Sequence, residues 1–260
     1  MNEPQRITSR ANPLLVQLRR LLHDGAAYRR HGLLWIEGEH LCAVAVAHGI
    51  VPQRVLFSAS GWAKPHLRRL APATAPLALL PDALFAEHSS LESPAELGMI
   101  LAVPGTPALL PEAATVILDR LQDAGNAGSI LRSAAALGAR QALALKGTVA
   151  LWSPKVLRAG MGAHFSLSII EGCAEADLDA LHVPLLATSS HGGEALHLAS
   201  LPARAAWIFG HEGQGVAAAL AARCTTLLRI EQPGGEESLN VAAAAAICLY
   251  EASRRGLAGQ

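Results

Sequence analysis

The sequence lacks the covalent and metal-binding frameworks that hold many small domains together. Its four cysteines stand far apart, with no CxxC pair and no metal-ligand spacing, and its 11 histidines are scattered. We therefore expect buried or free thiols in a reducing cytoplasm and no bound metal.

A second absence concerns membranes and export. The longest apolar run, residues 241–250, has about half the length that a membrane-spanning helix needs. The opening residues, MNEPQRITSR, contain no apolar core of a signal peptide. These absences predict a cytoplasmic protein without a membrane span.

The sequence does contain enough apolar residues for a large core, and its charge is unevenly spread. Its 260 residues are 51% apolar, which fits one or two domains. The net charge is zero, yet residues 1–70 carry ten basic and four acidic residues. We expect this first part to meet a polyanion, with ordinary surface charge as the alternative.

Short apolar stretches alternate with helical patterns twice along the chain, which predicts an α/β fold. In residues 1–103, strands are predicted over 33–36, 54–58, 77–80 and 98–103, with helices over 41–48, 64–70 and 83–88. Residues 104–113 hold three prolines and form the predicted linker. In residues 114–260 the alternation restarts and predicts a parallel sheet covered on both faces.

Three loops stand at the carboxyl ends of predicted strands, where ligands bind in parallel sheets. The first, DRLQDAGNAGSILRSA, places Asn126 and Gly128 just before a helix predicted over 129–137. Arg132 in that helix can fork two hydrogen bonds to a phosphate or carboxylate, and a surface salt bridge is its alternative role. The loop lacks GxGxxG and GKS or GKT, so it is neither a dinucleotide fingerprint nor a P-loop.

The second loop, IFGHEGQGV, has Gly210, Gly213 and Gly215 around Glu212. These glycines let the backbone approach a ligand closely, although a plain strand-to-helix turn remains the alternative.

The third loop, residues 231–240, runs from a Pro-Gly-Gly break to a long Ala-rich helix. Ser238 is predicted to cap that helix, with Asn240 beside it, and a solvated cap is the simplest interpretation.

Together the loops lack a nucleophile paired with a base. They offer backbone amides, Asn, Ser, Glu and one Arg, which suit positioning and electrostatics in a transfer reaction. The same residues would also suit a binding module.

The segments NAGSILRSA, IFGHEGQGV and GGEESLNVAAAAAICLYEASRR resemble, in order and spacing, the three motifs of the SpoU (TrmH-type) RNA ribose 2′-O-methyltransferases. Residues 154–170 resemble the family's segment between motifs one and two, and residues 7–57 its N-terminal substrate-binding domain. The resemblance implies a substrate RNA-binding domain over 1–103 and a methyltransferase domain over 114–260. It also implies a deep trefoil knot, a homodimer, bound S-adenosylmethionine and a ribose 2′-hydroxyl of structured RNA as methyl acceptor.

The resemblance also assigns roles to single residues. The implied catalytic positions are Asn126, Arg132, Glu212, Ser238 and Asn240. The implied cofactor-binding positions are Gly210, Glu212, Gly213, Ile230, Leu239 and Asn240. Since arginine is essentially never deprotonated, we interpret Arg132 as a group that grips an RNA phosphate and steadies the developing alkoxide.

The chain departs from the family's pattern at Glu231, Gln232, Glu236, Ala242 and Gly160. The changes at 231, 232 and 236 favour an alternative, an RNA-binding ribosome-assembly factor with a degenerate methyltransferase domain. A small-molecule methyltransferase is a further alternative, which the basic N-terminal part disfavours. The size of that part favours ribosomal RNA over transfer RNA as the substrate.

Overall fold

The computed structural model describes residues 3–189, 192–234 and 238–258, with side chains to residue 255. The chain forms two compact units, Met1–Gly105 with Trp152–Phe165, and Thr106–Leu151 with Ser166–Gln260. The sequence predicted that residues 114–260 form one uninterrupted domain. In the structure, the segment Trp152–Phe165 belongs to the first unit instead.

Contacts inside the first unit explain why this segment belongs there. The guanidinium of Arg158 donates to the Ser90 carbonyl at 3.0 Å. Gly162 lies so close to Val44 that a Cβ would come within 2.5 Å of the valine side chain. The segment is thus held by side-chain packing that its sequence position does not reveal.

The first unit contains a five-stranded mixed sheet in the order β1-β4-β3-β5-β2, in which β5 runs antiparallel to its neighbours. Its strands are β1 Gln5–Arg6, β2 Leu33–Glu37, β3 Arg54–Ser58, β4 Leu77–Leu80 and β5 Leu97–Ala102. Its helices are α1 Pro13–His23, α2 Ala27–His31, α3 Glu39–Ala47, α4 Ala59–Ala63, α5 Pro65–Arg68, α6 Asp82–Ala86 and α8 Pro154–Gly160, with a 3₁₀ turn Ala163–Phe165. The predicted small α/β unit is confirmed.

The helix predicted over 64–70 is present but shorter, as α5. The region holds two short helices, α4 and α5, separated by Lys64 in an extended conformation. Pro65 disfavours a helical conformation at the residue before it and starts a new helix at its own position.

The second unit contains a seven-stranded sheet in the order β10-β12-β9-β11-β6-β7-β8, and every pairing in it is parallel. Its strands are β6 Thr115–Leu118, β7 Gln141–Leu145, β8 Ser168–Cys173, β9 Leu185–Thr188, β10 Glu194–Ala195, β11 Ala206–Phe209 and β12 Thr226–Arg229. Its helices are α7 Ala124–Ala136, α9 Ala218–Arg223 and α10 Val241–Ala258, with a 3₁₀ helix Glu175–Ala180. The predicted parallel-sheet fold is confirmed, and the knot stays a prediction.

The topology of this sheet positions the three loops. β11 pairs with both β6 and β9, and β12 pairs with β9. Because all these strands are parallel, the loops that follow β6, β11 and β12 leave the same edge of the sheet.

The predicted linker is held at its end by the second unit. The buried Gln141 side chain accepts from the Leu110 N–H at 3.0 Å and donates to the Leu110 carbonyl at 2.7 Å. The backbone of Leu110 is therefore fixed to β7 by both of these hydrogen bonds.

Candidate active site

The first loop ends in a capped helix. The Asp123 carboxylate accepts from the Asn126 N–H at 2.7 Å, so α7 begins at Ala124. The predicted start at residue 129 is wrong because this cap satisfies an amide of the first turn. Asn126 and Gly128 therefore lie inside the helix, and Asn126 is half-buried in its first turn.

The second loop is a tight turn built on glycines. A Cβ at Gly210 would come within 2.2 Å of the Gly215 and Val216 backbone, so only glycine fits there. Gly215 has a φ of +67°, which favours glycine. Its N–H donates to the His211 carbonyl at 2.8 Å and closes the turn. At Gly213 a Cβ would meet nothing closer than the His211 ring at 3.9 Å, and the Gly213 N–H donates to the His211 Nδ1 at 3.0 Å.

Glu212 joins the second loop to the first. Its carboxylate accepts from the N–H groups of Gln122 and Asp123 at 3.2 and 3.0 Å. It also accepts from the Asn126 side-chain amide at 3.2 Å. Burial raises the pKa of Glu212, but the hydrogen bonds from Asp123, Asn126 and Gln122 outweigh it, so the pKa lies below its ordinary value. The carboxylate is therefore held in its charged form.

Asn240 joins the third loop to the same network. Its side-chain amide donates to the Asn126 Oδ1 at 2.9 Å. Its own Oδ1 accepts from the N–H groups of Ala242 and Ala243 at 2.9 and 3.2 Å, so Asn240 caps α10. The predicted capping role of Ser238 is wrong, because the helix begins two residues later than such a cap needs. One chain of hydrogen bonds thus runs from Glu212 through Asn126 to Asn240.

The other predicted site residues lie outside this chain of hydrogen bonds. Arg132 is exposed on α7 and has no hydrogen bond or ion pair within the described part of the chain. Ser238 and Leu239 are exposed just before α10, and Ile230 is half-buried directly after β12. The structure therefore brings together Asn126, Glu212 and Asn240, whereas Arg132 and Ser238 are exposed and, among the described residues, lie outside this network.

Two residues with central contacts were missed from the sequence. The Asp119 carboxylate, buried at the end of β6, accepts from the Arg120 Nε at 2.8 Å and from the Ala217 N–H at 2.8 Å. Arg120 donates onward to the Gln214 side chain of the second loop at 3.0 Å. The available signal was an acidic residue directly after a short strand that is apolar apart from its first residue, Thr115.

The departures from the family's pattern have distinct surroundings. Glu231 forms an ion pair with Arg229, so its charge is balanced within the chain. The Gln232 Oε1 is buried, and no partner for it exists among the residues that the structure describes. Glu236 lies outside the described residues. The balanced charge of Glu231 weakens the reason for expecting a degenerate site.

Two searches of the described ranges concern metals and membranes. Residues 3–189, 192–234 and 238–258 contain no group of three or more His, Cys, Asp or Glu side chains that could hold a metal ion. Within the same ranges, no helix has both the length and the apolar character that a bilayer crossing requires. All four cysteines are free thiols, as predicted.

Comparison with known proteins identifies the family. Residues 113–250 match the model of the SpoU rRNA methylase family. An uncharacterized tRNA/rRNA methyltransferase of Synechocystis is 34% identical, over 96% of this chain and 93% of its own. A 23S rRNA (uridine(2479)-2′-O)-methyltransferase of Streptomyces viridochromogenes is 28% identical, over 98% and 94%.

Among solved structures, the SpoU methyltransferase AviRb from Streptomyces viridochromogenes in complex with the cofactor AdoMet is similar, with a TM-score of 0.84 and 25% identity. The alignment covers 95% of this chain and 100% of that one. The methyltransferase that the three motifs predicted is thereby confirmed, and the chain belongs to the SpoU rRNA methylase family.

Proposed function

We propose that this protein transfers a methyl group from S-adenosylmethionine to a ribose 2′-hydroxyl of ribosomal RNA. The observation that carries the proposal is the chain of hydrogen bonds from Glu212 through Asn126 to Asn240, which unites the three family motifs at one edge of the sheet. The Streptomyces relative, whose name assigns it a uridine 2′-oxygen of 23S rRNA, supports the reaction and the class of RNA.

The residues at this edge fit S-adenosylmethionine. The space beside the Gly213 Cα holds nothing closer than the His211 ring, and Ile230 and Leu239 flank the third loop with apolar side chains. The buried Gln232 Oε1, an acceptor with no partner in the described part of the chain, suits an amino donor. We assign the cofactor to the backbone around Gly210, Gly213, Ile230, Leu239 and Asn240. When bound there, S-adenosylmethionine supplies an electrophilic methyl group on a positively charged sulfur.

Arg132 activates the acceptor in this proposal. Methyl transfer needs the 2′-oxygen to lose its proton as it attacks, and arginine keeps its own protons at any physiological pH. The exposed guanidinium of Arg132 therefore grips the RNA phosphate with a two-pronged hydrogen bond and steadies the developing alkoxide. The proton leaves to that phosphate or to water.

The network behind Arg132 fixes the geometry. Asn126 uses its amide towards Glu212 and its carbonyl towards Asn240, so it locks the beginning of α7 to the two other loops. The ionised Glu212 carboxylate can only accept hydrogen bonds, and it anchors the second loop to the first. Ser238, exposed beside Asn240, is the hydroxyl that orients the ribose. Holding reacting groups in line is the main source of rate in such a transfer.

The first unit captures the RNA. Of its basic residues, Arg10, Arg30 and Lys64 are paired with carboxylates. Others have no ion pair within the described ranges, namely Arg6, Arg19, Arg20, Arg54, Arg68 and Arg69. Cations left without carboxylate partners are available to phosphates, and each phosphate that they neutralise adds to the salt dependence of binding.

We also propose that the protein acts as a homodimer in the cytoplasm. Along α10, Ile247 and Tyr250 are 41% and 59% exposed. A second copy of the chain would cover these apolar side chains. Sedimentation of the wild type and of Tyr250→Glu tests this: a dimer that the variant converts to a monomer supports it, and a wild-type monomer contradicts it.

The substrate is tested with RNA from a host that lacks this protein. Purified ribosomal and transfer RNA are incubated separately with labelled S-adenosylmethionine, and the products are hydrolysed with alkali. A 2′-O-methyl group protects the adjacent phosphodiester, so label should remain in an alkali-resistant dinucleotide from ribosomal RNA alone. Label in transfer RNA would show that transfer RNA, and not ribosomal RNA, is the substrate. RNA binding without any label would favour the ribosome-assembly alternative.

A further inference from the structure

The first and second loops are braced by two carboxylates in reciprocal fashion. Glu212 of the second loop accepts from backbone N–H groups of the first loop, at Gln122 and Asp123. Asp119 of the first loop accepts from a backbone N–H of the second loop, at Ala217. The family motifs contain Glu212, whereas the Asp119 half of the brace has no assigned role.

Asp119 is built for this contact. It is only 2% exposed at the end of β6, and both its carboxylate oxygens are used. Oδ1 accepts from the Arg120 Nε at 2.8 Å, and Oδ2 accepts from the Arg120 Nη2 at 3.0 Å and the Ala217 N–H at 2.8 Å. A buried carboxylate is costly unless it is paired and hydrogen-bonded, and these contacts meet that condition.

Arg120 extends the brace to two further residues of the second loop, Gln214 and Gly215. Its guanidinium donates to the Gln214 Oε1 at 3.0 Å and to the Gly215 carbonyl at 3.4 Å. The hydrogen bond to Asp119 raises the pKa of Arg120, so its charge is secure. Together, Asp119 and Arg120 contact three successive parts of the turn, Gln214, Gly215 and Ala217.

The backbone of Arg120 adopts a conformation that is unfavourable for a residue with a Cβ. Its φ is 55°, a left-handed conformation that residues with a Cβ seldom adopt. The Gln122 side chain fixes this conformation by donating to the Arg120 carbonyl at 2.9 Å. Strained backbone that its surroundings enforce is typical of functional sites.

We infer that Asp119 and Arg120 form one positioning unit, which holds the second loop in its cofactor-accepting shape before the cofactor arrives. The inference rests on the proposed binding of S-adenosylmethionine at Gly210 and Gly213. A loop that is ordered in advance spares the cofactor the entropy of ordering it, so the unit raises affinity without touching the ligand.

Three variants separate positioning from folding. Arg120→Asn keeps a residue that tolerates the left-handed conformation but removes the reach to Gln214 and Gly215. Asp119→Asn keeps an oxygen for the Ala217 N–H and removes the charge. The double variant leaves no unpaired buried charge, so it stays informative if either single variant is poorly folded. Arg223→Gln, which breaks the Arg223–Asp179 ion pair elsewhere in the same unit, is the control.

Calorimetric titration with S-adenosylmethionine gives the first result. We expect each variant to bind about tenfold more weakly or worse, since hydrogen bonds to charged groups carry such effects, and the control to stay within about twofold. The affinity of the double variant for S-adenosylmethionine should be no lower than that of the single variant that binds it more weakly, because the two residues act together. Turnover at saturating cofactor should recover towards the wild-type value.

Hydrogen exchange of the ligand-free proteins gives the second result. The amides of Gly215 and Ala217 should lose protection in the double variant, while those of β6 and β7 keep theirs. A folded double variant with wild-type affinity and wild-type protection at these amides would overturn the inference. If the wild type fails to bind S-adenosylmethionine, the proposed function fails, and the exchange of these two amides still decides whether the unit positions the loop.

Discussion

The charged side chains that bear on the proposed function have different partners in the two units. In the first unit, arginines such as Arg20 and Arg69 are exposed and have no ion pair within the described residues. In the second, the carboxylates nearest the proposed site, Asp119 and Glu212, are engaged by backbone and side-chain donors of neighbouring loops. Free cations suit a large and mobile polyanion, whereas engaged carboxylates fix loop geometry. This contrast supports the proposal that RNA capture and cofactor positioning are carried by separate parts of the chain.

The largest effect among the next three predictions is expected where the network of the second unit is cut. Asn240→Ala removes the hydrogen bond to Asn126 and the cap of α10. We expect kcat/KM for RNA methylation to fall about 10²-fold because positioning is lost, and stability to fall by about 1 kcal/mol because the cap is lost. Asn12→Ala, which removes the Asn cap of α1 in the first unit, should lower stability similarly and leave S-adenosylmethionine affinity unchanged. If kcat/KM fell equally in Asn240→Ala and Asn12→Ala, the loss would reflect lower stability and not a positioning role of Asn240.

A smaller effect is expected where the free charge of the first unit is removed. The triple variant Arg20→Gln, Arg68→Gln, Arg69→Gln should weaken RNA binding and lower the slope of log affinity against log salt by about 3, one for each lost phosphate contact. Affinity for S-adenosylmethionine should not change. Arg10→Gln, at a residue already paired with Glu87, should alter the slope little. A triple variant with the wild-type slope would show that these arginines do not meet the RNA.

The smallest effect concerns the pH dependence of stability. The folded-state pKa of Glu212 lies below the ordinary value of 4.5. Its hydrogen bonds therefore stabilise the fold fully above about pH 4.5, and this contribution is lost as the pH falls through the lower folded-state pKa. Glu212→Gln should be less stable than wild type at pH 6, and the difference should shrink by pH 3. Unfolding curves that stay equally separated across this range would contradict the charge-dependent brace.

The strands could be predicted from the sequence because short apolar runs bounded by breakers leave few alternatives. The predicted bounds of β3 and β4 agree with the structure. The starts of α7 and α10 could not be predicted as well, because each depends on which side chain caps the helix, Asp123 in one and Asn240 in the other. Such a choice depends on tertiary contacts as much as on local sequence.

The site was predictable only in part for a related reason. The resemblance to the family placed Asn126, Glu212 and Asn240 in one site, although they are far apart in the sequence, and the structure joins them. It assigned nothing to Asp119 or Arg120, whose contacts with Ala217 and Gln214 cross more than 90 residues of chain. Neither composition nor periodicity carries information about pairs at such separations.

The most direct test of the account is to compare cofactor binding and turnover in the wild type and in Arg132→Ala. In the proposed mechanism Arg132 contacts the RNA and the developing charge, whereas the backbone of the loops holds the cofactor. The variant should therefore bind S-adenosylmethionine with wild-type affinity but transfer label to ribosomal RNA about 10²–10³-fold more slowly. Arg132→Lys, which keeps the charge but not the fork, should recover only part of the rate. An Arg132→Ala variant that methylates at the wild-type rate would contradict the account.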